Sequence, residues 1–161
     1  MCMTRIMFVC TGNICRSPMA HGVFVDRIRK RGLEDRFSVE SSGTTAYHHG
    51  ESMDGRAVSE LKQHGIRFQN RAKGFHRTDA ANYDLILAMD RSNYASLMRT
   101  IDTEHQNRIR MFRSFDPEGS GDAEVPDPWY GGREGFTKIY EMISRTVDVL
   151  IDRYAESEVE P

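Results

Sequence analysis

Cysteine is scarce and confined to one place. The chain has three, Cys2, Cys10 and Cys15, and none follows Cys15. Thiols so close together cannot staple distant parts of a fold, which excludes a secreted disulfide scaffold. A reducing compartment is expected, and the reactivity of each thiol becomes the question. Long apolar runs are missing too. None approaches the roughly 18 residues of a membrane span, so no membrane insertion is expected. Ile6 to Cys10 is too short for the core of a signal peptide, and a cytoplasmic location is expected. No charge dominates: 22 Lys and Arg face 24 Asp and Glu, a net of −2. That balance fits neither a strongly basic nucleic-acid binder nor an acidic solvating chain. No sequence repeat is present. His48 and His49 have no third ligand at a recognised spacing, so they read as a solvated loop, and no metal site is expected.

What remains is the composition of one ordinary domain. Its 161 residues are expected to form a single unit, with a core over about 5–154 and a frayed acidic tail over 155–161. Residues 5–10 (RIMFVC) form a nearly continuous apolar run, the mark of a buried parallel strand. TGNICR follows as a turn. Ser17-Pro18 then offers a favoured helix cap and a favoured first helical residue, and Gly32 ends that helix. A weaker strand is expected over 37–41. A helix over 54–64 stops at Gly65. DLILAM (84–89) is the clearest buried strand, and a short helix over 91–99 has Asp90 as its cap. A fourth strand is expected over 108–115. From Phe136 to Tyr154, apolar residues recur at steps of three and four, an amphipathic helix.

Strands alternating with helices imply an α/β, three-layer fold, a four-stranded parallel sheet with helices on both faces. Such sheets bind ligands beyond the carboxyl ends of their strands. Two segments there carry chemistry. In the first, Cys10 ends a strand and Arg16 opens a helix. Gly12 and Asn13 between them tolerate left-handed backbone. Successive N–H groups in such a turn form an anion nest, and the helix N-terminus adds partial positive charge. Arg16 can fork two phosphoryl oxygens. All three features favour negative charge at Cys10, whose thiolate is the nucleophilic form. No Gly-Lys-Ser/Thr follows, so this is not a Walker loop, and the double-glycine dinucleotide spacing is absent. The second segment is the loop 116–132, with three prolines, four glycines, five acidic residues and no basic one. Asp127 in its DPWY sequence is the candidate general acid. Asp116 is its competitor.

VCTGNICRSP, the AVSEL and HGI helix, LILAMDRSN and DPWYG together resemble the low-molecular-weight protein tyrosine phosphatases, in order over about residues 5–154. The resemblance implies a flavodoxin-like fold of the phosphotyrosine protein phosphatase I-like type. It implies a cysteinyl-phosphate mechanism without metal or other cofactor. Cys10 attacks phosphorus, Arg16 clamps the phosphoryl group, and Ser17 hydrogen-bonds the sulfur. Asp127 protonates the leaving phenol oxygen and then serves as base for water. Thr11, Gly12, Asn13, Ile14 and Cys15 complete the phosphate loop. Asn13 holds its shape, and Ser41 is a supporting partner behind it. Tyr47, Trp129 and Tyr130 wall the entrance. Tyr47 stands where a Trp often occurs, Trp129 where a Tyr often occurs, and Asn70 where some relatives have a loop-supporting His. Cys15 is also the candidate redox partner of an oxidised Cys10.

The implied partner is a tyrosine-phosphorylated protein. A tyrosine kinase is one such protein, since bacterial relatives often act opposite them. A monomer is the default expectation. Three rival functions fit the sequence less well. Arsenate reductases on this fold use further cysteines downstream, which this chain lacks. Phosphoarginine phosphatases carry Thr where this chain has Ile14. A non-enzymatic phosphotyrosine-binding module would be expected to lose the nucleophile or the acid, yet Cys10, Arg16 and Asp127 are all present.

Overall fold

A computed structural model describes residues 3–128 and 132–156. Four strands, β1 (Thr4–Cys10), β2 (Phe37–Gly43), β3 (Leu85–Ala88) and β4 (Ile109–Met111), form one sheet in the order β2-β1-β3-β4. Every neighbouring pair is parallel, with Ile6 opposite both Val39 and Leu85, and Cys10 opposite Gly43. Four helices are described: α1 (Arg16–Lys30), α2 (Gly55–Gln63), α3 (Arg91–Thr100) and α4 (Gly132–Glu156). None of them is long and apolar enough to cross a membrane.

The central strands are buried on both faces, which is why they read as continuous apolar runs. Successive side chains point to opposite faces. Ile6, Phe8 and Cys10 of β1, with Leu85 and Leu87 of β3, join one core with the inner faces of α1, α2 and α4. Met7, Val9, Ile86 and Ala88 join the opposite core, with Leu97 and Ile101. Edge-to-face aromatic contacts lock the larger core: Phe8 meets Phe112 at 5.4 Å and Phe24 meets Phe37 at 5.2 Å between ring centroids.

Two elements differ from the local sequence pattern. The expected strand over 108–115 stops at Met111 and gives way to a 3-10 turn over Phe112–Phe115. Both phenylalanines are buried in the larger core. A spacing of three would put them on opposite faces of a strand but aligns them in a 3-10 turn. The first helix starts at Arg16 rather than after Ser17, and its cap position, Cys15, makes no side-chain cap bond. The Ser17 hydroxyl is committed to a different set of partners, described below. The glycine stops are as expected: Gly32 at φ 67° and Gly65 at φ 77° take the left-handed backbone that ends a helix.

The chain passes from β1 to β2 on one side, then to β3 on the other side of β1. This reversal opens a crevice beyond the carboxyl ends of β1 and β3. Cys10 ends β1 there, and Asp90 lies just past β3.

Candidate active site

The loop from Cys10 to Arg16 is wound so tightly that its own backbone meets the Cys10 sulfur. Asn13 adopts φ 58°, alone among the described non-glycine residues in positive φ. That turn aims the Asn13 N–H at Cys10 Sγ, 3.3 Å away. The Ser17 Oγ lies 3.0 Å from the same sulfur. Asn13 holds the turn through its amide: Nδ2 donates to Ser17 Oγ at 2.8 Å, and Oδ1 accepts from Asn70 Nδ2 and the Lys73 N–H, both at 3.1 Å. Asn70 therefore does support the loop. With Asn13 donating to Ser17, the Ser17 proton is left for the Cys10 sulfur or for the Ser42 carbonyl at 3.3 Å. Gly43 backs this turn closely, since a Cβ there would lie 2.6 Å from the Thr11 carbonyl oxygen.

Arg16 is 3% exposed and its guanidinium is anchored on several sides. Nη1 donates to Asp90 Oδ2 at 2.6 Å and to the Val125 carbonyl at 3.0 Å. Nη2 reaches Thr11 Oγ1 at 3.5 Å and lies 4.0 Å from Asp127 Oδ2. Burial alone would lower the Arg16 pKa. The charges of Cys10, Asp90 and Asp127 outweigh it and hold the guanidinium above its ordinary range. Asp90, read from sequence as a helix cap, does cap α3 by accepting the Asn93 N–H at 2.7 Å. It holds Arg16 as well, a role the local sequence did not show.

The loop carrying Asp127 is tied back to the sheet. Val125 donates its N–H to the Met89 carbonyl at 2.7 Å, and the Arg91 N–H donates to Glu124 at 2.7 Å. Asp127 is half-exposed above the site, its side chain 53% accessible. Asp116 is wholly enclosed and accepts from Arg113 and Arg145. It takes no part in the crevice.

A cavity of about 330 Å³ joins these groups, running from Cys10, Arg16 and Ile14 to Tyr47, His48 and Asp127. Tyr47 is 85% exposed at its mouth. Contrary to the solvated loop expected for His48, its ring is a wall of the cavity. A Cβ on Gly12 would meet His48 Cδ2 at 2.8 Å, and His48 Nδ1 pairs with Glu51 at 2.9 Å. Cys15 also lines the cavity. Burial pushes its thiol far up, and Asp54, Cys10 and Asp127 push it further, so Cys15 is a neutral thiol at physiological pH. Ser41 makes its hydrogen bond to His21 Nδ1 at 3.2 Å, and it is the neighbouring Ser42 carbonyl that meets Ser17. Trp129, Tyr130 and Cys2 lie outside the described residues.

A buried arginine and the inward Asn13 N–H beside one cysteine, in a tight loop opening a helix at the switch point of a parallel sheet, define a centre suited to a tetrahedral oxyanion. Comparison with known proteins agrees. The profile of the family described as low molecular weight phosphotyrosine protein phosphatase matches residues 5–159. A low molecular weight protein-tyrosine-phosphatase of Streptomyces coelicolor is 42% identical over 141 residues, 86% of each chain. The low molecular weight protein-tyrosine phosphatase A of Mycobacterium bovis is 42% identical over 149 residues, 92% of this chain and 90% of that one. The crystal structure of a protein tyrosine phosphatase from Entamoeba histolytica, with Hepes in its active site, superposes with a TM-score of 0.91 at 32% identity. It covers 96% of this chain and 99% of that one. The chain belongs to the low-molecular-weight protein tyrosine phosphatases.

Proposed function

We propose that this chain hydrolyses phosphotyrosine esters of proteins through a cysteinyl-phosphate intermediate at Cys10. The observation that carries the reading is the seat of the Cys10 sulfur, which takes the Asn13 N–H at 3.3 Å and Ser17 Oγ at 3.0 Å beside the buried Arg16. These donors stabilise the sulfur as an attacking and as a departing thiolate. Cys10 Sγ bonds to phosphorus as the bond to the phenol oxygen breaks, and the protonated Asp127 carboxyl gives its proton to that oxygen. In the second step Asp127, now a carboxylate, takes a proton from water as the water oxygen bonds to phosphorus. The sulfur–phosphorus bond breaks, releasing phosphate and restoring the thiolate. Arg16 and the loop amides carry the charge of the equatorial oxygens throughout.

Substrate choice follows the walls. Ile14 and exposed Tyr47 offer apolar and aromatic surface suited to a phenyl ring, which favours an aryl ester over a short alkyl one. A phosphorylated guanidinium, with its P–N bond, would leave its polar nitrogens against Ile14. The substrate is a tyrosine-phosphorylated protein, a tyrosine kinase among the candidates, and the working unit is a single-domain monomer in the reducing cytoplasm. Cys15, which lines the same cavity, is the candidate to close a disulfide with a sulfenic Cys10, giving up its thiol proton as water leaves.

The test is phosphate release from phosphotyrosine, phosphoserine and phosphoarginine peptides, near pH 6 with a chelator and a thiol present. Fast release from phosphotyrosine alone is expected. A preference for phosphoarginine would overturn the substrate assignment, and no release from any peptide would overturn the reaction.

A further inference from the structure

The first turn of α3 folds back over the site with two side chains. Asp90 takes the Asn93 N–H on Oδ1 and Arg16 Nη1 on Oδ2, at 2.7 and 2.6 Å. Asn93, only 1% exposed, donates Nδ2 to Thr11 Oγ1 at 3.0 Å. Thr11 Oγ1 also receives Arg16 Nη2 at 3.5 Å. A hydroxyl oxygen accepts two hydrogen bonds and donates one. With both accepting positions filled by donors, the proton is what Thr11 has left to offer. Thr11 lines the cavity with Cys10 and Arg16, where an entering oxyanion can accept that proton.

A second observation points the same way. Among the described residues, the buried Asn93 Oδ1 has no hydrogen-bond partner. A buried carbonyl left without a partner is costly, and a native structure that keeps one calls for an explanation. A leucine of similar shape would avoid the cost but could not donate to Thr11. The loop uses a similar arrangement one turn away: Asn13 Nδ2 donates to Ser17 Oγ, leaving that hydroxyl's proton for the Cys10 sulfur or the Ser42 carbonyl.

We propose that Asn93 is a positioning residue for phosphoryl transfer, acting through Thr11: its amide turns the Thr11 hydroxyl so that the proton faces a phosphoryl oxygen beside Arg16. The inference rests on the reading of Cys10 as the site of phosphoryl transfer. Asn93 touches no substrate itself.

The experiment is a double-mutant cycle of Asn93→Leu with Thr11→Val, read as kcat and KM on an aryl phosphate, inhibition by inorganic phosphate, and thermal midpoint. A hydrogen bond to a charged oxygen is involved, so each single variant is expected to lose about tenfold in kcat/KM. The double variant should be no slower than Thr11→Val alone, because Asn93 acts only through that hydroxyl. Thr11→Ser, which keeps the hydroxyl, should restore the Asn93 effect. Asn93→Leu should unfold at the wild-type temperature or above it, since the orphaned carbonyl is gone, whereas a merely structural role would lower the midpoint along with the rate. Losses that multiply in the double variant would overturn the proposal, as would an unchanged kcat/KM in Asn93→Leu. If Asn93→Leu fails to fold, Asn93→Ala carries the same cycle. Wild-type protein inactive on aryl phosphates would sink the phosphatase reading itself, and activity without coupling would sink this inference alone.

Discussion

Arg16 and Asp90 join the ends of β1 and β3, Nη1 to Oδ2 at 2.6 Å, although 74 residues separate them in the chain. The other oxygen of the same carboxylate caps α3. Asp90→Asn keeps an oxygen for the cap but removes the charge facing a buried guanidinium. It should retain the fold and lose about tenfold in kcat/KM, because Arg16 is no longer held in register with the cavity. Asp90→Ala loses the cap as well, which costs about 1 kcal/mol more. Steady-state kinetics and denaturant unfolding on both variants check the pair. Equal stability of the two would show that the cap contributes nothing.

Asp127 and Asp116 share one loop and both precede a proline, yet their surroundings assign them different work. Asp116 is enclosed by Arg113, Arg145 and the Glu118 N–H at 2.8 Å. Burial alone would raise its pKa, but these partners pull it down to about 2, so it holds no proton to give near neutrality. Asp127→Ala should slow hydrolysis of esters with poor leaving groups by about 10²–10⁴ and spare activated ones. Asp116→Asn should lower stability, because it leaves two arginines facing a neutral amide, without changing leaving-group dependence. Rates across a series of aryl phosphates of graded leaving-group pKa distinguish them. A steepened dependence in the Asp116 variant would exchange the assignments.

Much of the fold was legible because its signals are local. Apolar runs gave β1 and β3, and glycines at the left-handed positions 32 and 65 gave two helix ends. The Cys10–Arg16 loop was legible for the same reason, since the residues that shape it are consecutive. What could not be read are contacts that only the sheet order creates: Arg16 with Asp90 and Val125, Asn13 with Asn70 and Lys73, and Thr11 with Asn93. Ser17 misled as a cap because a hydroxyl before a proline fits that role by itself, and the competing sulfur lies seven residues away. His48 misled because a pair of histidines in a polar stretch reads as solvated, and nothing local reveals Gly12 beneath the ring. Asp90 and Asn93 had one usable signal. They follow a buried strand on the edge of a parallel sheet where ligands bind, which places their polar side chains beside the site.

Acid should destabilise the protein in two separate windows. Burial pushes His21 down to about 4; Glu40 opposes the shift and Lys73 adds to it. The unfolded chain therefore takes a proton near pH 6.5 that the folded chain refuses until about 4. Stability is full above the upper value and falls as pH drops from about 6.5 to 4. Asp116 acts lower. Its folded pKa lies below that of the unfolded chain, so its contribution is present above about pH 4 and is lost as pH falls toward 2. Thermal midpoints measured from pH 8 to 2.5 should show both declines. His21→Gln should flatten the upper one and leave the lower. An unaltered upper decline in that variant would remove His21 as its cause.

Asn13 combines a backbone role and a side-chain role that two substitutions can separate. Its φ of 58° costs an ordinary side chain about 1–2 kcal/mol and costs glycine almost nothing. Its amide donates to Ser17 and accepts from Asn70 and the Lys73 N–H. Asn13→Gly preserves the turn but frees Ser17 to rotate toward the Ser42 carbonyl, away from the sulfur. Asn13→Ala loses the amide and adds backbone strain. Both variants should therefore lose turnover by a similar factor, about tenfold or more, since both lose the orientation of the Ser17 proton. Only the alanine variant should pay the additional 1–2 kcal/mol or so in stability. Kinetics and urea unfolding on the pair measure the two effects independently. Wild-type turnover in Asn13→Gly would mean that backbone shape alone prepares Cys10, and that the hydroxyl proton of Ser17 is irrelevant to the sulfur.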